Sequence, residues 1–358
     1  MSIETFYFPE AEMIIEALDG EEPVDDPGYG SSGDTASTSL DSSALNFIHE
    51  NGRRYHCFRD GLYLLPNDDL EQAREHLNHA MFLKLFAGTV HFARLQRDVA
   101  LNVIDLGTGT GTWATACKYD LRTSHIRHAN SELIVADLYP SSSVLGIDLS
   151  PIQSNWVPPN LKFMVDDAES EWLFPLNHFH YIHTRHMIHA LRDWPRLLSR
   201  SFRHLKPGGW IECQEIDHIP YCDDGTLTGD NPIALYWTHI HSAFGQVGVQ
   251  SSNAPRLASI MRSVGFTNVT ERISFMPIGP WPGNRHHREI GWYWRTVLME
   301  GLEAIALRAF TRVLGWRMED IEVFLAGVRK AYMDPTIHAF MLFYTVCGQK
   351  PALEGTEG

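Results

Sequence analysis

A glycine-rich loop follows a short apolar run in the stretch VIDLGTGTGT, residues 103–112. Gly107, Gly109 and Gly111 stand at alternate positions, whereas the pyrophosphate fingerprint needs its third glycine three residues after the second. A P-loop is excluded too, because no Gly-Lys-Ser/Thr follows. Glycine lets backbone approach a ligand closely because it has no Cβ. With Asp105 two residues upstream, the spacing predicts a ligand that lies on the turn without phosphates, such as S-adenosylmethionine.

Acidic residues end the next two strand-like runs. VLGIDLSP contains Asp148, which is placed to accept hydrogen bonds from ribose hydroxyls, as acids do at dinucleotide sites. LKFMVDDAESEW contains Asp166 and Asp167, where a carboxylate can accept from an adenine amino group. Each acid alone could equally be a helix cap or a turn residue. Their order at successive strand ends indicates a site for a nucleoside.

Strand-like and helical patterns alternate through the body of the chain. The strand-like runs are NVIDL, VLGIDL, LKFMV, FHYIHT, WIECQEI and AFMLFYTVCG. This alternation predicts an α/β fold with a parallel sheet. Upstream, residues 70–92 have near-helical apolar spacing, which predicts an amphipathic helix before the sheet. Aromatic, helix-rich segments at 229–264 and 286–332 predict a cap over the carboxyl edge of the sheet.

The motifs together resemble one family. The order DLGTGTGTWA, GIDLSPIQSNWVPPNLKF, DDAESEW, IHTRHM, LKPGGWIECQE, GPWP and LGW is similar to that of the fungal LaeA-like (UMTA-type) methyltransferases. These belong to the class I S-adenosylmethionine-dependent methyltransferase superfamily. The likeness covers residues 51–351, including NGRRYHCFRDGLYLLPNDDLEQAREHLNHAMF. It implies a Rossmann-like fold, with a mostly parallel seven-stranded sheet flanked by helices and a helical cap.

The resemblance also implies roles for individual residues. Cofactor contacts are expected at Asp105, Gly107, Thr108, Gly109 and Gly111 around the methionine portion, Asp148 at the ribose, Asp167 near adenine and Arg185 at the methionine end. No catalytic residue is carried over from the family. The sequence itself offers Tyr55, His79, His186 and His189 as acid, base or substrate-orienting groups. Each of these four is more often a structural residue than a catalytic one.

Four segments are expected along the chain. Residues 1–45 are acidic and rich in Ser and Gly, which predicts a disordered tail. Residues 46–100 are expected to form a helical segment that covers the cofactor site, and residues 101–228 the S-adenosylmethionine-binding core. Residues 229–358 are expected to supply the cap helices and the last strands of the sheet.

Composition restricts the function further. A net charge of −15 argues against direct nucleic-acid binding, which depends on clustered Lys and Arg. Five cysteines without zinc spacing, 19 histidines without a ligand pattern and no long apolar run predict no metal, no membrane span and a cytoplasmic protein, with the nucleus possible.

Two functions remain open at this stage. The first is methylation of a small molecule in fungal secondary metabolism. The alternative is a LaeA-like nuclear regulator of metabolite gene clusters that acts with velvet-type protein partners. The lack of a basic nuclear-import cluster favours the enzyme. The presence of the loop glycines, Asp148 and Asp167 argues against an inactive homologue.

One insertion departs from the family pattern. The segment CKYDLRTSHIRHANSELIV is polar, lacks helical periodicity and interrupts the helix expected after the glycine loop. Cys-Lys-Tyr can be encoded with the splice donor GTAAGT, His-Ala-Asn with the branch sequence GCTAAC, and Ile-Val with the acceptor TAG. Splicing would restore TWATALADLYP, which fits the family. Residues 118–134 are therefore either a retained in-frame intron or a surface loop.

Overall fold

The computed structural model describes residues 46–61, 63–96, 99–114, 138–154 and 156–352. The predicted disordered tail at 1–45 and the insertion at 118–134 lie outside the described residues, so both stay predictions. Within the described ranges, no helix is both long and apolar enough to cross a membrane.

A hairpin and a long helix precede the main sheet. Strands β1 (Phe47–Glu50) and β2 (Arg53–His56) pair antiparallel around Asn51-Gly52, whose φ angles of 49° and 74° form a two-residue turn suited to Asn-Gly. The predicted helix exists as α1 (Asp69–Leu85), capped by the Asp68 carboxylate, which accepts from Glu71 N. It ends before residue 92 because Ala87 and Gly88 take left-handed φ angles of 51° and 83°.

The main sheet has seven strands. They are β3 (Asn102–Leu106), β4 (Ser143–Asp148), β5 (Leu161–Val165), β6 (Phe179–Arg185), β7 (Leu205–Tyr221), β8 (Thr267–Pro277) and β9 (Phe340–Gln349). Their spatial order is β5-β4-β3-β6-β7-β9-β8. Strands β3 to β7 are parallel, and β9 runs antiparallel between β7 and β8. The expected mostly parallel seven-stranded sheet is confirmed.

The strand order places a ligand cleft at β3. The connection from β3 leads to β4 on one side, while β6 pairs with β3 on the other side. In open α/β sheets, ligands bind outside the carboxyl ends of the strands where the order reverses in this way. The loops after β3, β4, β5 and β6 therefore meet at one edge.

The remaining helices flank the sheet and extend beyond it. They are α2 (Trp194–His204), α3 (Pro232–Gln246), α4 (Leu257–Val264), α5 (Arg285–Arg308) and α6 (Met318–Tyr332). Helices α3, α5 and α6 share a large apolar cluster with α1 and with strands β7 and β9. Trp237 and Trp294 are fully buried in this cluster, whereas Trp292 is half exposed. Most of the aromatic side chains of the cap therefore act as core.

Candidate active site

One cavity opens at the carboxyl edge of the sheet. Its walls come from α1 with the segment before it, and from the loops after β3, β4, β5 and β6. It brings together most of the predicted site residues: Asp105, Gly107, Thr108, Gly109, Asp148, Asp167, Arg185, His79, His186 and His189. Residues 229–352 contribute no lining side chain to this cavity. The placement of the aromatic cap over the substrate stays a prediction, and α1 supplies the helical wall of this cavity.

Asp105 holds the glycine loop together from inside. One carboxylate oxygen accepts from Thr108 Oγ1 at 2.7 Å, and the other contacts His183 Nδ1 at 2.7 Å. Trp113 stacks on the His183 ring at 3.6 Å between ring centres. Asp105 is only 3% exposed, so both of its oxygens serve the loop. Asp105 therefore contributes to ligand binding by holding the glycine turn in shape.

Asp148 connects the glycine loop to the next strand. Its carboxylate accepts from Gly109 N at 2.8 Å and from Ser150 N at 2.9 Å. Burial raises its pKa to about 6, although these two backbone donors act in the opposite direction. Each carboxylate oxygen can accept a further hydrogen bond, because it has two lone pairs. Asp148 can therefore bind a hydroxyl pair while it holds the loop.

The three loop glycines make room for different neighbours. A Cβ at Gly107 would lie 2.0 Å from Met187 Sδ, and a Cβ at Gly109 would lie 2.9 Å from Glu75 Oε2. A Cβ at Gly111 would lie 2.4 Å from Phe163 Cζ, and Gly111 does not line the cavity. The prediction that all three glycines face the ligand needs correction, since Gly111 is required for packing against β5.

The loop after β5 carries two more acids at the cavity wall. Asp167 accepts from Glu169 N, Ser170 Oγ and Arg59 Nη1, the last at 2.5 Å. Asp166 also lines the cavity, and burial raises the pKa of its carboxyl. Arg59 comes from the segment that follows the hairpin, so that segment reaches across to the end of the cavity where adenine is expected.

Arg185 brings a positive charge to the opposite wall. Its Nη2 lies 2.8 Å from His79 Nδ1, and its guanidinium lies over the Phe82 ring at 5.2 Å. It forms no ion pair with any carboxylate in the described part of the chain. Burial lowers the pKa of Arg185 to about 10, so the side chain stays charged at neutral pH. Burial and this cation lower the pKa of His79 well below its ordinary value.

His186 and His189 lie on the loop after β6, which Glu215 fixes by accepting from Met187 N and Ile188 N. His186 has a left-handed φ of 59° and contacts Asn78 Nδ2 at 3.1 Å. Burial lowers its pKa to about 3 and holds the pKa of His189 well below the ordinary value. Both imidazoles are therefore neutral at pH 7.

Tyr55 does not belong to the site. It lies on β2, is fully buried and does not line the cavity. The Arg308 guanidinium covers its ring at 3.4 Å, and burial raises the pKa of its hydroxyl to about 12. Arg308 in turn binds Glu50 and Asp60. The tyrosine therefore fixes the hairpin to α5 and is not an acid or base of the reaction.

Sequence reasoning missed Glu75 and Asn67. Glu75 lies on α1 and accepts from Thr110 N at 3.2 Å, which brings a carboxylate directly onto the glycine loop. Asn67 donates to Ser150 Oγ, in the loop after β4, at 3.1 Å, and it lines the cavity. Both residues lie in LPNDDLEQAREHLNHAMF, a segment that belongs to the family resemblance. In an amphipathic helix, however, the sequence pattern predicts that a glutamate is exposed to solvent.

Comparisons with known proteins agree with this site. A methyltransferase-domain family matches residues 74–271. The methyltransferase pytC of Aspergillus terreus is 35% identical over 89% of this chain and 92% of its own length. The secondary metabolism regulator LAE1 of Cochliobolus heterostrophus is 33% identical over 84% of this chain and 94% of its own length. The protein-methionine methyltransferase laeA of Emericella nidulans is 31% identical over 87% of this chain and 79% of its own length. The chain thus belongs to the S-adenosylmethionine-dependent methyltransferases, in the group that contains the fungal LaeA-like proteins.

Proposed function

We propose that the cavity at the sheet edge binds S-adenosylmethionine and that the chain methylates a small molecule of fungal secondary metabolism. One observation carries this proposal: the glycine loop, Asp148, Asp167 and Arg185 open onto a single cavity. The similarity to pytC, which is named a methyltransferase, supports the enzymatic part.

The residues fit the cofactor's chemical groups. Asp148 keeps lone pairs for two ribose hydroxyls beyond its bonds to Gly109 and Ser150. Asp166 and Asp167 offer acceptors for the adenine amino group, with Arg59 as a competing donor to Asp167. Arg185 offers a cation without an ion-pair partner in the described chain, which suits the methionine carboxylate.

S-adenosylmethionine supplies a methyl group on a positively charged sulfur. The chain contributes position and exclusion of water, because an in-line displacement requires no covalent enzyme nucleophile. His79, His186 and His189 line the cavity as neutral imidazoles. Because their pKa values lie far below 7, these imidazoles are weak bases, so they suit orienting an acceptor through hydrogen bonds and not removing its proton. We assign these three residues to the acceptor side of the reaction.

A nuclear regulatory role is the second candidate. LAE1 carries the name of a secondary metabolism regulator, and the chain is almost as similar to it as to pytC. In this role, velvet-type protein partners would direct the chain to metabolite gene clusters. A protein methionine would then be the acceptor, as the name of the Emericella nidulans relative states for that protein. The enzyme acts in the cytoplasm under the first proposal and in the nucleus under the second.

An experiment in the fungal host separates the two. The gene is replaced by one encoding Asp148→Ala, and both metabolites and cluster transcripts are measured. The small-molecule proposal predicts that one metabolite loses a methyl group, or that its unmethylated precursor accumulates, while transcript levels stay within twofold. Broad loss of cluster transcripts would instead favour the regulator. An unchanged metabolite profile with unchanged transcripts would contradict both.

A further inference from the structure

One acidic and one basic side chain face the same cavity, and neither has an ion-pair partner in the described part of the chain. Glu75 on α1 and Arg185 at the end of β6 both line it. In the described part of the chain, neither side chain lies within ion-pair distance of an opposite charge. Ionisable groups in such surroundings are almost always paired. A cavity that keeps one acid and one base apart therefore suits a ligand that carries both charges itself.

Glu75 lies where the glycine loop leaves room for it. Its Oε2 is 2.9 Å from the position of a Cβ on Gly109 and accepts from Thr110 N at 3.2 Å. The adjacent cation, Arg74, also lines the cavity, but it forms a buried ion pair with Glu71 at 2.5 Å. The protein thus supplies one backbone donor to the Glu75 carboxylate and no cation at ion-pair distance.

We propose that Glu75 and Arg185 bind the two ends of the cofactor's amino acid group, with Glu75 accepting from the α-ammonium and Arg185 donating to the α-carboxylate. This inference rests on the proposed function and adds Glu75 to it. Asp105 accepts from Thr108 Oγ1 and contacts His183 Nδ1, so both of its oxygens already have a partner within the protein, whereas Glu75 Oε1 has no such bond in the described chain. We therefore assign the ammonium to Glu75 on α1.

Proton release follows from this arrangement. Burial raises the pKa of Glu75 to about 8, with Glu71 and Asp148 acting in the same direction and Arg74 and the Thr110 donor opposing them. The other groups nearby are Tyr63, whose pKa is raised, and Arg185, which stays charged. At pH 7 the free Glu75 carboxyl is therefore mostly protonated, and a bound ammonium displaces this proton. Asp148, with a pKa of about 6, adds only about 0.1 proton.

The test is calorimetric titration of the full chain at pH 7 in buffers of different ionisation enthalpy, which measures the protons released on binding. S-adenosylhomocysteine carries the amino acid group, and 5′-methylthioadenosine lacks it. We expect about one proton released with the former and about a tenth of a proton with the latter. Glu75→Gln should bind S-adenosylhomocysteine with release of about a tenth of a proton.

Asp69→Asn is the matched control. Asp69 is an exposed acid in the first turn of α1, outside the cavity, so this variant should release about one proton like the parent chain. Equal proton release by the parent chain with both nucleosides, or by Glu75→Gln and the parent chain, would overturn the assignment. The comparison of the two nucleosides needs no variant, so it decides the question even if Glu75→Gln fails to fold. Absence of S-adenosylhomocysteine binding by the parent chain would overturn the proposed function itself.

Discussion

Gly111→Ala should destabilise the fold through one specific collision. Gly111 has φ of +79°, and a Cβ there would lie 2.4 Å from Phe163 Cζ on β5. A left-handed non-glycine residue costs about 1–2 kcal/mol. The ring would also have to move by about 1 Å to reach an ordinary contact distance, and such overpacking costs about 1–3 kcal/mol. We expect a loss of about 2–5 kcal/mol in the free energy of unfolding.

Gly208→Ala is the matched control for the cost of placing a non-glycine residue in the left-handed backbone conformation. Gly208 has φ of +78°, and nothing lies within 4 Å of its Cβ position. Its substitution should cost only about 1–2 kcal/mol. Phe163→Leu removes the ring atoms nearest to Gly111, so it should relieve about 1–3 kcal/mol of the Gly111→Ala loss in a double-mutant cycle. Urea unfolding of the four variants measures these terms. Equal losses at Gly111 and Gly208, or no coupling with Phe163, would refute the packing role of Gly111.

Three further predictions concern other parts of the chain. Asp105→Asn should lower the free energy of unfolding by about 1–3 kcal/mol, because the amide carries no charge and keeps only one acceptor oxygen for the two side-chain partners; unchanged urea unfolding would contradict this. Arg308→Met should cost about 1–3 kcal/mol and speed hydrogen exchange in β1 and β2, since Glu50 and Asp60 lose their buried partner and keep only the more exposed Arg312; unchanged exchange would refute that. Transcripts sequenced across Trp113 to Asp148 should include a spliced form that lacks the codons for residues 118–134, and a purely unspliced population would exclude the intron.

The sequence predicted the sheet well where strands are buried on both faces. NVIDL and FHYIHT are short runs rich in β-branched, apolar and aromatic residues, and both are largely buried strands. Strand β8, TNVTERISFMP, is absent from the predicted runs because it lies at the sheet edge, where exposed Thr and Glu break the apolar pattern. The end of α1 depended on Ala87 and Gly88 taking left-handed conformations, which helical periodicity does not indicate.

The site residues, like the strands, could be predicted only where a local sequence pattern marks their position. The sequence could place Asp148 and Asp167 at the cavity because Asp148 ends one clearly marked strand and Asp167 comes shortly after the next. Tyr55 was a wrong candidate, since only the packed structure places Arg308 over its ring. Glu75 was missed because its position depends on how α1 packs against the glycine loop. That contact joins residues 35 positions apart. No local pattern encodes such a contact.

Asp148, the acid at the end of β4, is proposed to bind S-adenosylmethionine in the cavity. Calorimetric titration of the full chain and of Asp148→Ala with S-adenosylmethionine tests this proposal most directly. We expect binding in the micromolar range by the parent chain and affinity at least tenfold weaker in the variant, because Asp148 holds Gly109 and supplies the acceptors for the ribose. No binding by the parent chain, or equal affinity in the variant, would contradict the account.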